Sequence, residues 1–379
     1  MSNVVLFETL TAGQEFQLGV ATLNQPAVLN SLSLEMAELL QKQLSAWERD
    51  DKIVAVIIKG AGEKAFCAGG DLHGLYKAMQ ENTSDNAWNN RTAREFFATE
   101  YRLDYHIHTY SKPVICLAHG IVMGGGMGLM IGASHRVVTA QSRLAMPEVS
   151  IALFPDVGGS WMLNRLPGNT GKFLAATGAS IGAQDALFTG LANYAVDYHN
   201  WTSIVEQLQG AEWKSSASRR YNDDLIHAVL SANPSLEIQG TGPIEEHYAL
   251  INKTCAYRDP VTQYEAIMQL KGHSDALLAK AAETLAKGSP LSFALAMDLL
   301  EQTRHDSLAE VFYLEFNVAL YCCVYGQFQE GIRALLIDKD RQPNWQPATI
   351  AEVSQELVEH FYEDPMPDGE PHPLQDLLN

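Results

Sequence analysis

What this chain lacks narrows its function before any motif does. Its 379 residues include 26 Lys and Arg against 45 Asp and Glu, a formal net charge of −19. Nonspecific binding to nucleic acid or to an anionic membrane needs clustered cations, so neither is expected as a partner. Any anionic ligand must be held by local groups against the global field. The five cysteines, Cys67, Cys116, Cys255, Cys322 and Cys323, are odd in number and form no C-x-x-C. They read as buried free thiols in a reducing compartment, and the expected location is cytoplasmic. The segment MSNVVLFETL has no basic region, and no stretch is expected to reach the length of a membrane span. There is no H-E-x-x-H, and His106 and His108 are spaced too closely to share a helical face, so no metal is expected.

Glycine is placed with more purpose. The apolar run Pro113 to Ala118 reads as a buried strand and leads to Gly124-Gly125-Gly126, which opens an apolar helix through Leu129 and Ile131. A second junction, Gly60 to Leu72, exposes backbone around Ala68, Gly69 and Gly70 before a helix begins near Asp71. The first N–H groups of a helix lack intrahelical acceptors and carry partial positive charge, which suits a carbonyl oxygen that becomes negative during reaction. Two such donors can converge on one oxygen, each worth about 2.7–4 kcal/mol in a transition state. The glycines fit neither G-x-G-x-x-G nor the phosphate-binding loop ending in G-K-[ST]. Two acids follow, Glu148 and Asp156, in the apolar setting of Ile151, Leu153 and Phe154, which raises a carboxyl pKa. The plainer reading of Asp156 is the N-cap of the helix after Gly159. Glu100 lies in an aromatic stripe of Phe96, Phe97, Tyr101 and Tyr105 on a helix expected over 91–110; the stripe reads as core, and Glu100 as a group able to face a site.

Gly178-Ala179-Ser180-Ile181-Gly182 matches G-x-S-x-G, but a nucleophile elbow needs a preceding buried strand, and Lys172 to Thr177 reads as helix. Ser180 is expected instead to cap the helix over 183–189. A strand-strand-helix rhythm runs through the first half and implies stacked turns. Strands are expected at Val4 to Glu8, Phe16 to Leu23, Ile53 to Lys59, His135 to Ala140 and Arg143 to Met146, with LANYAVD closing the unit. Ser33 is expected to cap a helix whose apolar face includes Leu40, Leu44 and Trp47. The polar segment Glu81 to Asn90 reads as a mobile surface loop or a lid hinge. Beyond Tyr198 the pattern becomes mostly helical, with helices expected over 200–208, 275–287, 290–302 and 307–325, and an irregular tail over 365–373.

These elements resemble the crotonase (enoyl-CoA hydratase/isomerase) superfamily. KAFCAGGDL (64–72), HGIVMGGGMGL (119–129), AMPEVSIALFPDVGG (145–159) and EGIRALLIDKD (330–340) are similar to its 3-hydroxyisobutyryl-CoA hydrolase branch. The resemblance implies an α/β fold, a crotonase-like superhelix of repeated strand-strand-helix units with a helical C-terminal region. The expected division is a core at 1–197 and a helical region at 198–379 packing on it. It implies hydrolysis of a short 3-hydroxyacyl-CoA in valine catabolism, with no cofactor beyond the CoA of the substrate. Carried over by position, Gly70 and Gly125 would supply the oxyanion-hole N–H groups. Glu148 and Asp156 would be catalytic, and Glu100, Gly125, Glu148, Asp156, Ala68 and Asp71 would touch substrate. Hydratases of the superfamily carry a second catalytic glutamate three residues after the oxyanion glycine, where this chain has Gly128. A hydratase or isomerase remains the alternative, and a CoA-binding scaffold a third reading. Superfamily members commonly associate through C-terminal helices, so a homo-oligomer is one outcome and a tail folded over its own site the other. Basic residues often found near 24–30 are replaced by Gln25 and Ala27, leaving Lys59 and Lys64 to meet the CoA phosphates.

Overall fold

Buried β-branched residues organise the first sheet. β1 (Val5–Ala12) and β2 (Phe16–Leu23) pair antiparallel, with Val5 opposite Leu23 and Ala12 opposite Phe16. β1 runs past the Glu8 expected as its end, and Gly13 at φ +61° makes the turn. α1 (Leu34–Arg49) starts where Ser33 accepts a hydrogen bond from the N–H of Met36, and it buries Met36, Ala37, Leu40, Leu44 and Trp47. That face lies on the sheet: a Cβ at Gly19 would sit 2.7 Å from the Trp47 ring, so a side chain there would displace the indole. β3 (Ile53–Gly60) is buried from Ile53 to Ile58, as a strand covered on both faces requires.

The repeat is then visible strand by strand. β4 (Ala65–Cys67) precedes α2 (Leu72–Glu81) and α3 (Arg91–Thr109); β5 (Val114–Ala118) and β6 (Ile121–Met123) precede α4 (Gly125–Ile131). β7 (His135–Val138) and β8 (Arg143–Ala145) precede α5 (Gly159–Leu163), α6 (Thr170–Thr177) and α7 (Ala183–Thr189). β9 (Tyr194–Ala195) closes the series beside Val137 and Val138. One member of each strand pair enters a six-stranded sheet of order β1-β2-β3-β5-β7-β9, parallel beyond β2, and the other enters a three-stranded sheet β4-β6-β8. This is the stacked strand-strand-helix superhelix expected from the sequence. β6 was missing from that expectation because three residues between His119 and the glycine turn are too few to show alternation.

The structure describes residues 3–82 and 84–378. Met1, Ser2 and Asn379, parts of the expected 1–197 and 198–379 regions, and Thr83, part of the expected loop, lie outside the described residues. Within that loop Ala87 and Trp88 are buried in a single 3₁₀ turn, so the polar composition of its neighbours hid an anchor.

The chain folds into two units that interleave in sequence, rather than dividing once at Asp197. One comprises 1–70, 103–144 and 181–242; the other comprises 71–102, 145–180 and 243–379. In the first, α8 (Trp201–Gly210) and α9 (Arg219–Ser231) bury Trp201, Ile204, Leu208, Ile226 and Leu230 against Leu18, Val54, Ile115 and Val137. In the second, the C-terminal helices Pro290–Gln302 and Leu308–Tyr325 pack on α5, and the former also on α6. Ser289 and Ser307 cap them, the latter in a reciprocal capping box with Glu310. The irregular tail is pinned in this unit by Arg102, which donates to Asp376 and to the carbonyl of Pro373, each at 2.7 Å.

The helix Leu308–Tyr325 corrects one expectation. By length and composition it could cross a membrane, with a mean hydropathy of 1.3, yet 61% of it is buried inside the protein. It is apolar because it is the core helix of its unit.

Gly126 tests the packing of the first unit. A Cβ there would overlap the backbone carbonyl of Cys67 at the end of β4, and backbone cannot swing aside. Gly126→Ala is expected to destabilise the protein by about 1–3 kcal/mol or more, read as a lower urea midpoint at unchanged m-value. An unchanged midpoint would contradict the close approach.

Candidate active site

In the first unit the sequence brings two glycine junctions together. Gly124 sits at φ +48° and ψ −121°, a conformation open essentially to glycine, and turns β6 into α4. Gly125 is the first residue of α4, so its N–H precedes the first intrahelical acceptor. The other junction passes close by: Gly69 has φ +106°, and a Cβ there would lie 3.5 Å from the carbonyl oxygen of Met123. Gly70 follows it, aligned with Leu32 in a parallel bridge. The N–H of Ala68 donates to the carbonyl of Leu29 at 3.1 Å, so Ala68 can offer a ligand its carbonyl or methyl rather than its N–H.

The same unit holds a cleft of about 330 Å³ lined by residues that include Pro26, Leu29, Asn30, Gly62 and Lys64. Its shape rests on Asn30, which is fully buried at φ +55° and donates to the carbonyls of Ala61 and Ala65, both at 2.9 Å. Asn30 also accepts from the N–H of Gln25 at 2.8 Å, tying 25–30 to 61–65. Of the two lysines considered from the sequence, Lys64 lines this cleft and Lys59 does not.

The second unit gathers the acids. Glu100 on α3, Glu148 in a 3₁₀ turn after β8, and Asp156 before α5 are 2%, 4% and 4% exposed, so all three carboxyls are withdrawn from water. Burial pushes Glu100 and Glu148 well above the usual carboxylate range, and the charge of Asp156 pushes both further. Glu148 also feels Glu100. Burial raises Asp156 to about 7, against the pull of Tyr101, whose hydroxyl donates to Asp156 Oδ2 at 2.8 Å. Oε1 of Glu100 and Oε2 of Glu148 are buried without a hydrogen-bond partner among the described residues. An ionised buried oxygen without a partner is costly, a further reason for both carboxyls to hold their protons.

Asp156 does not cap α5. That position belongs to Gly158, and the N–H of Gly159 bonds the backbone carbonyl of Asp156, not its side chain. The side chain takes the Tyr101 hydroxyl instead. The backbone around it is strained: Ala152 and Val157 both have φ +56°, a region rarely adopted by residues with a Cβ and least by β-branched ones. Such strain costs about 1–3 kcal/mol per residue and collects at functional sites.

Asp71 is occupied otherwise, capping α2 by accepting from the N–H of Gly74 at 3.1 Å. Ser180 is exposed and does not cap α7, whose N-cap is Gly182; Ile181 instead pairs with Leu144, pulling the segment out of cap position. Two partners of the acids were not singled out. Tyr101 read as core aromatic, though its place beside Glu100 was a signal. Glu315, fully buried, accepts from the N–H groups of Gly158 and Ser160 at 2.8 and 2.9 Å. A lone acid within the apolar run VFYLEFNVALYCC was the sign of it.

Comparison with known proteins is consistent along the whole chain. The enoyl-CoA hydratase/isomerase family model matches residues 18–362. The mitochondrial 3-hydroxyisobutyryl-CoA hydrolase of Danio rerio is 38% identical over 361 residues, covering 94% of this chain and 89% of the relative. That of Homo sapiens is 37% identical over 347 residues, covering 90% and 86%. Among solved structures, a carnitinyl-CoA dehydratase from Mycobacterium thermoresistibile superposes with a TM-score of 0.82 at 32% identity, covering 97% of this chain and 98% of that one. An enoyl-CoA hydratase from Rhodobacter sphaeroides 2.4.1 gives 0.78 at 30% identity, covering 95% and 97%. With a family model spanning most of its length and relatives this similar over nine-tenths of it, the chain belongs to the enoyl-CoA hydratase/isomerase family.

Proposed function

We propose that this protein is an acyl-CoA thioester hydrolase that cleaves a short 3-hydroxyacyl-CoA, with 3-hydroxyisobutyryl-CoA the first substrate to test. The observation that carries the reading is the buried pair Glu148 and Asp156, the charge of the second acting on the first, together with glycine at 128, where hydratases of this superfamily use a second glutamate. The hydrolases of Danio rerio and Homo sapiens support the choice of substrate by their names. Such a reaction places the protein in the breakdown of valine.

The chemistry follows from proton affinity. Two carboxyls buried together share protons and titrate as a unit, so near neutrality the pair carries about one negative charge. In the free protein that charge rests on Asp156, whose ionised form is the more favoured; passage of the shared proton from Glu148 to Asp156 moves it to Glu148, which then activates a water or attacks the thioester carbon directly. In the water route a C–O bond forms, the water proton passes to Glu148, and the carbonyl oxygen becomes an oxyanion, for which the resemblance to the family assigns the N–H groups of Gly70 and Gly125 as donors. Collapse breaks the C–S bond, and Asp156, holding the other proton, protonates the departing sulfur. Thiolate is already a good leaving group, so one base and one oxyanion hole suffice. Asp156 also holds the substrate 3-hydroxyl, and Glu100 borders the acyl group. Lys64 meets a CoA phosphate at the cleft beside Asn30.

The two superposed structures, a dehydratase and a hydratase by name, favour one second reading, addition of water to an enoyl-CoA. Loss of enoyl absorbance from crotonyl-CoA without thiol release would establish it. As for location, Cys67, Cys116, Cys255, Cys322 and Cys323 are all buried thiols, which fits a reducing compartment, the cytoplasm being the one expected from the sequence; the mitochondrial setting belongs to the names of the relatives.

Free thiol should appear rapidly from (S)-3-hydroxyisobutyryl-CoA. Asp156→Asn and Glu148→Gln are each expected to lower kcat by about 10²- to 10⁴-fold. Substantial hydrolysis by Glu148→Gln would remove Glu148 from the mechanism, and ¹⁸O passing from labelled water into the glutamate would distinguish direct attack from base catalysis.

The pH dependence has a definite sign. Asp156 ionises near 7 in the fold against 3.8 ordinarily, so at intermediate pH the native state holds a proton that the unfolded chain has released. The stability that this provides is lost as pH rises through about 7, while the charge needed for catalysis appears over the same range. kcat/KM should therefore rise as Tm falls. At pH 8, Asp156→Asn should melt higher than the parent, by about 2–4 °C for each kcal/mol relieved. A lower Tm would show that burial does not dominate.

Phosphate capture in so acidic a protein should be sensitive to salt. KM for the CoA ester is expected to rise with ionic strength, and Lys64→Ala should flatten that rise. A flat response in the parent would exclude ion pairing at the phosphates.

A further inference from the structure

Asp156 stands on a backbone that local sequence does not favour. Val157 and Gly158 are consecutive residues with positive φ, +56° and +76°, and valine gains nothing locally from that conformation. Strain of this kind persists only where surrounding structure over-determines it. The determinant is Glu315, which lies 159 residues along the chain from Asp156 in the helix Leu308–Tyr325. Its two oxygens accept separately, Oε2 from the N–H of Gly158 at 2.8 Å and Oε1 from the N–H of Ser160 at 2.9 Å. The turn after Asp156 is thus clamped on both sides of Gly159. One helical turn earlier, Phe312 closes the contact: a Cβ at Gly158 would lie 3.0 Å from its ring, so that the ring would have to yield to any other residue there. The same ring lies 5.6 Å from that of Tyr101, whose hydroxyl bonds Asp156. A single helix face supports the backbone behind Asp156 and the phenol in front of it.

An apolar residue at 315 would serve packing equally well. A buried carboxyl costs stability unless it is hydrogen-bonded, and here the charges near it are of the same sign. Glu315 is fully buried, and both burial and Asp156 raise it, to about 8. Its hydrogen bonds to the N–H groups of Gly158 and Ser160 give it a use that an apolar side chain could not fill.

We infer that Glu315 is a positioning residue for the reaction, fixing the strained turn so that the Asp156 carboxyl meets the 3-hydroxyl of the substrate. This rests on the reading of Asp156 given above as the acid that binds that hydroxyl.

The test uses the full chain and two esters, 3-hydroxyisobutyryl-CoA and isobutyryl-CoA, which differ only in that hydroxyl. Glu315→Ala is expected to lower kcat for the hydroxy ester by about 10- to 100-fold, as a misaimed group does, with KM little changed. Glu315→Gln, which keeps one acceptor oxygen and the volume, should recover part of the loss. In both, the preference for the hydroxy ester should fall towards parity, an effect that a lower Tm alone does not produce. Should neither variant fold, Glu315→Asp decides: it keeps the carboxyl but shortens its reach to the N–H groups of Gly158 and Ser160 by one methylene, and should erode the same preference. Folded Glu315 variants that retain the parent's preference would overturn the inference, whether or not they melt lower, and so would an unchanged preference in Glu315→Asp when that variant decides. Full activity in Asp156→Asn would instead sink the reading of the site itself.

Discussion

Everything at the candidate site depends on keeping carboxyls away from water. Four acids, Glu100, Glu148, Asp156 and Glu315, are buried in one unit with no cation paired to any of them among the described residues, and desolvation is the first cause of the raised proton affinity of each. Hydrogen bonds then separate them. Asp156 receives the Tyr101 hydroxyl and ionises first, near 7; Glu315 receives two backbone N–H groups and follows near 8. Glu100 and Glu148 each have a buried oxygen without a partner among the described residues, and their ionised forms are the least favoured. One kind of side chain is thereby given distinct proton affinities by its surroundings alone, which is what acid–base chemistry near neutral pH requires.

The two kinds of special backbone contribute differently. The glycine junctions of the first unit present N–H groups by geometry, because Gly124 and Gly69 adopt conformations that a side chain would oppose. The Asp156 turn of the second unit uses left-handed residues that are not glycine, and needs outside support to hold them. Removing the support should therefore change the site more than the fold. The glycines, by contrast, are tied to the fold itself: a Cβ at Gly126 strikes the carbonyl of Cys67 and would disturb sheet and helix together.

Most of the architecture was legible because it is written in local chemistry. Ser33, Ser307 and Asp275 cap helices as their side chains dictate, and the continuous apolar run at 53–58 is a strand buried on both faces. Glu100, Glu148 and Asp156 were found as acids in apolar settings, and the structure gathers them. What escaped was set by distance along the chain. Ser180 fails as a cap because Ile181 is held by Leu144, and Trp88 is an anchor inside a polar segment. The single boundary at Asp197 failed because 71–102 and 145–180 pack with the C-terminal helices, a pairing that composition does not record.

Glu315 shows why that limit falls where it does. A motif reader finds PEVSIALFPDVGG because its residues adjoin one another and the chemistry of acids beside glycines is recognisable. The residue that clamps this segment stands in a different helix, at a position where heptad or periodicity arguments call for an apolar side chain. Its only mark is that it breaks the pattern. A charged residue in an apolar stripe weakens the core it occupies, so its presence implies a compensating partner elsewhere in the fold, here the N–H groups of Gly158 and Ser160. Departures from the hydrophobic pattern are therefore where sequence reasoning should look for the groups that aim a catalytic residue, since the groups that react announce themselves and those that hold them do not.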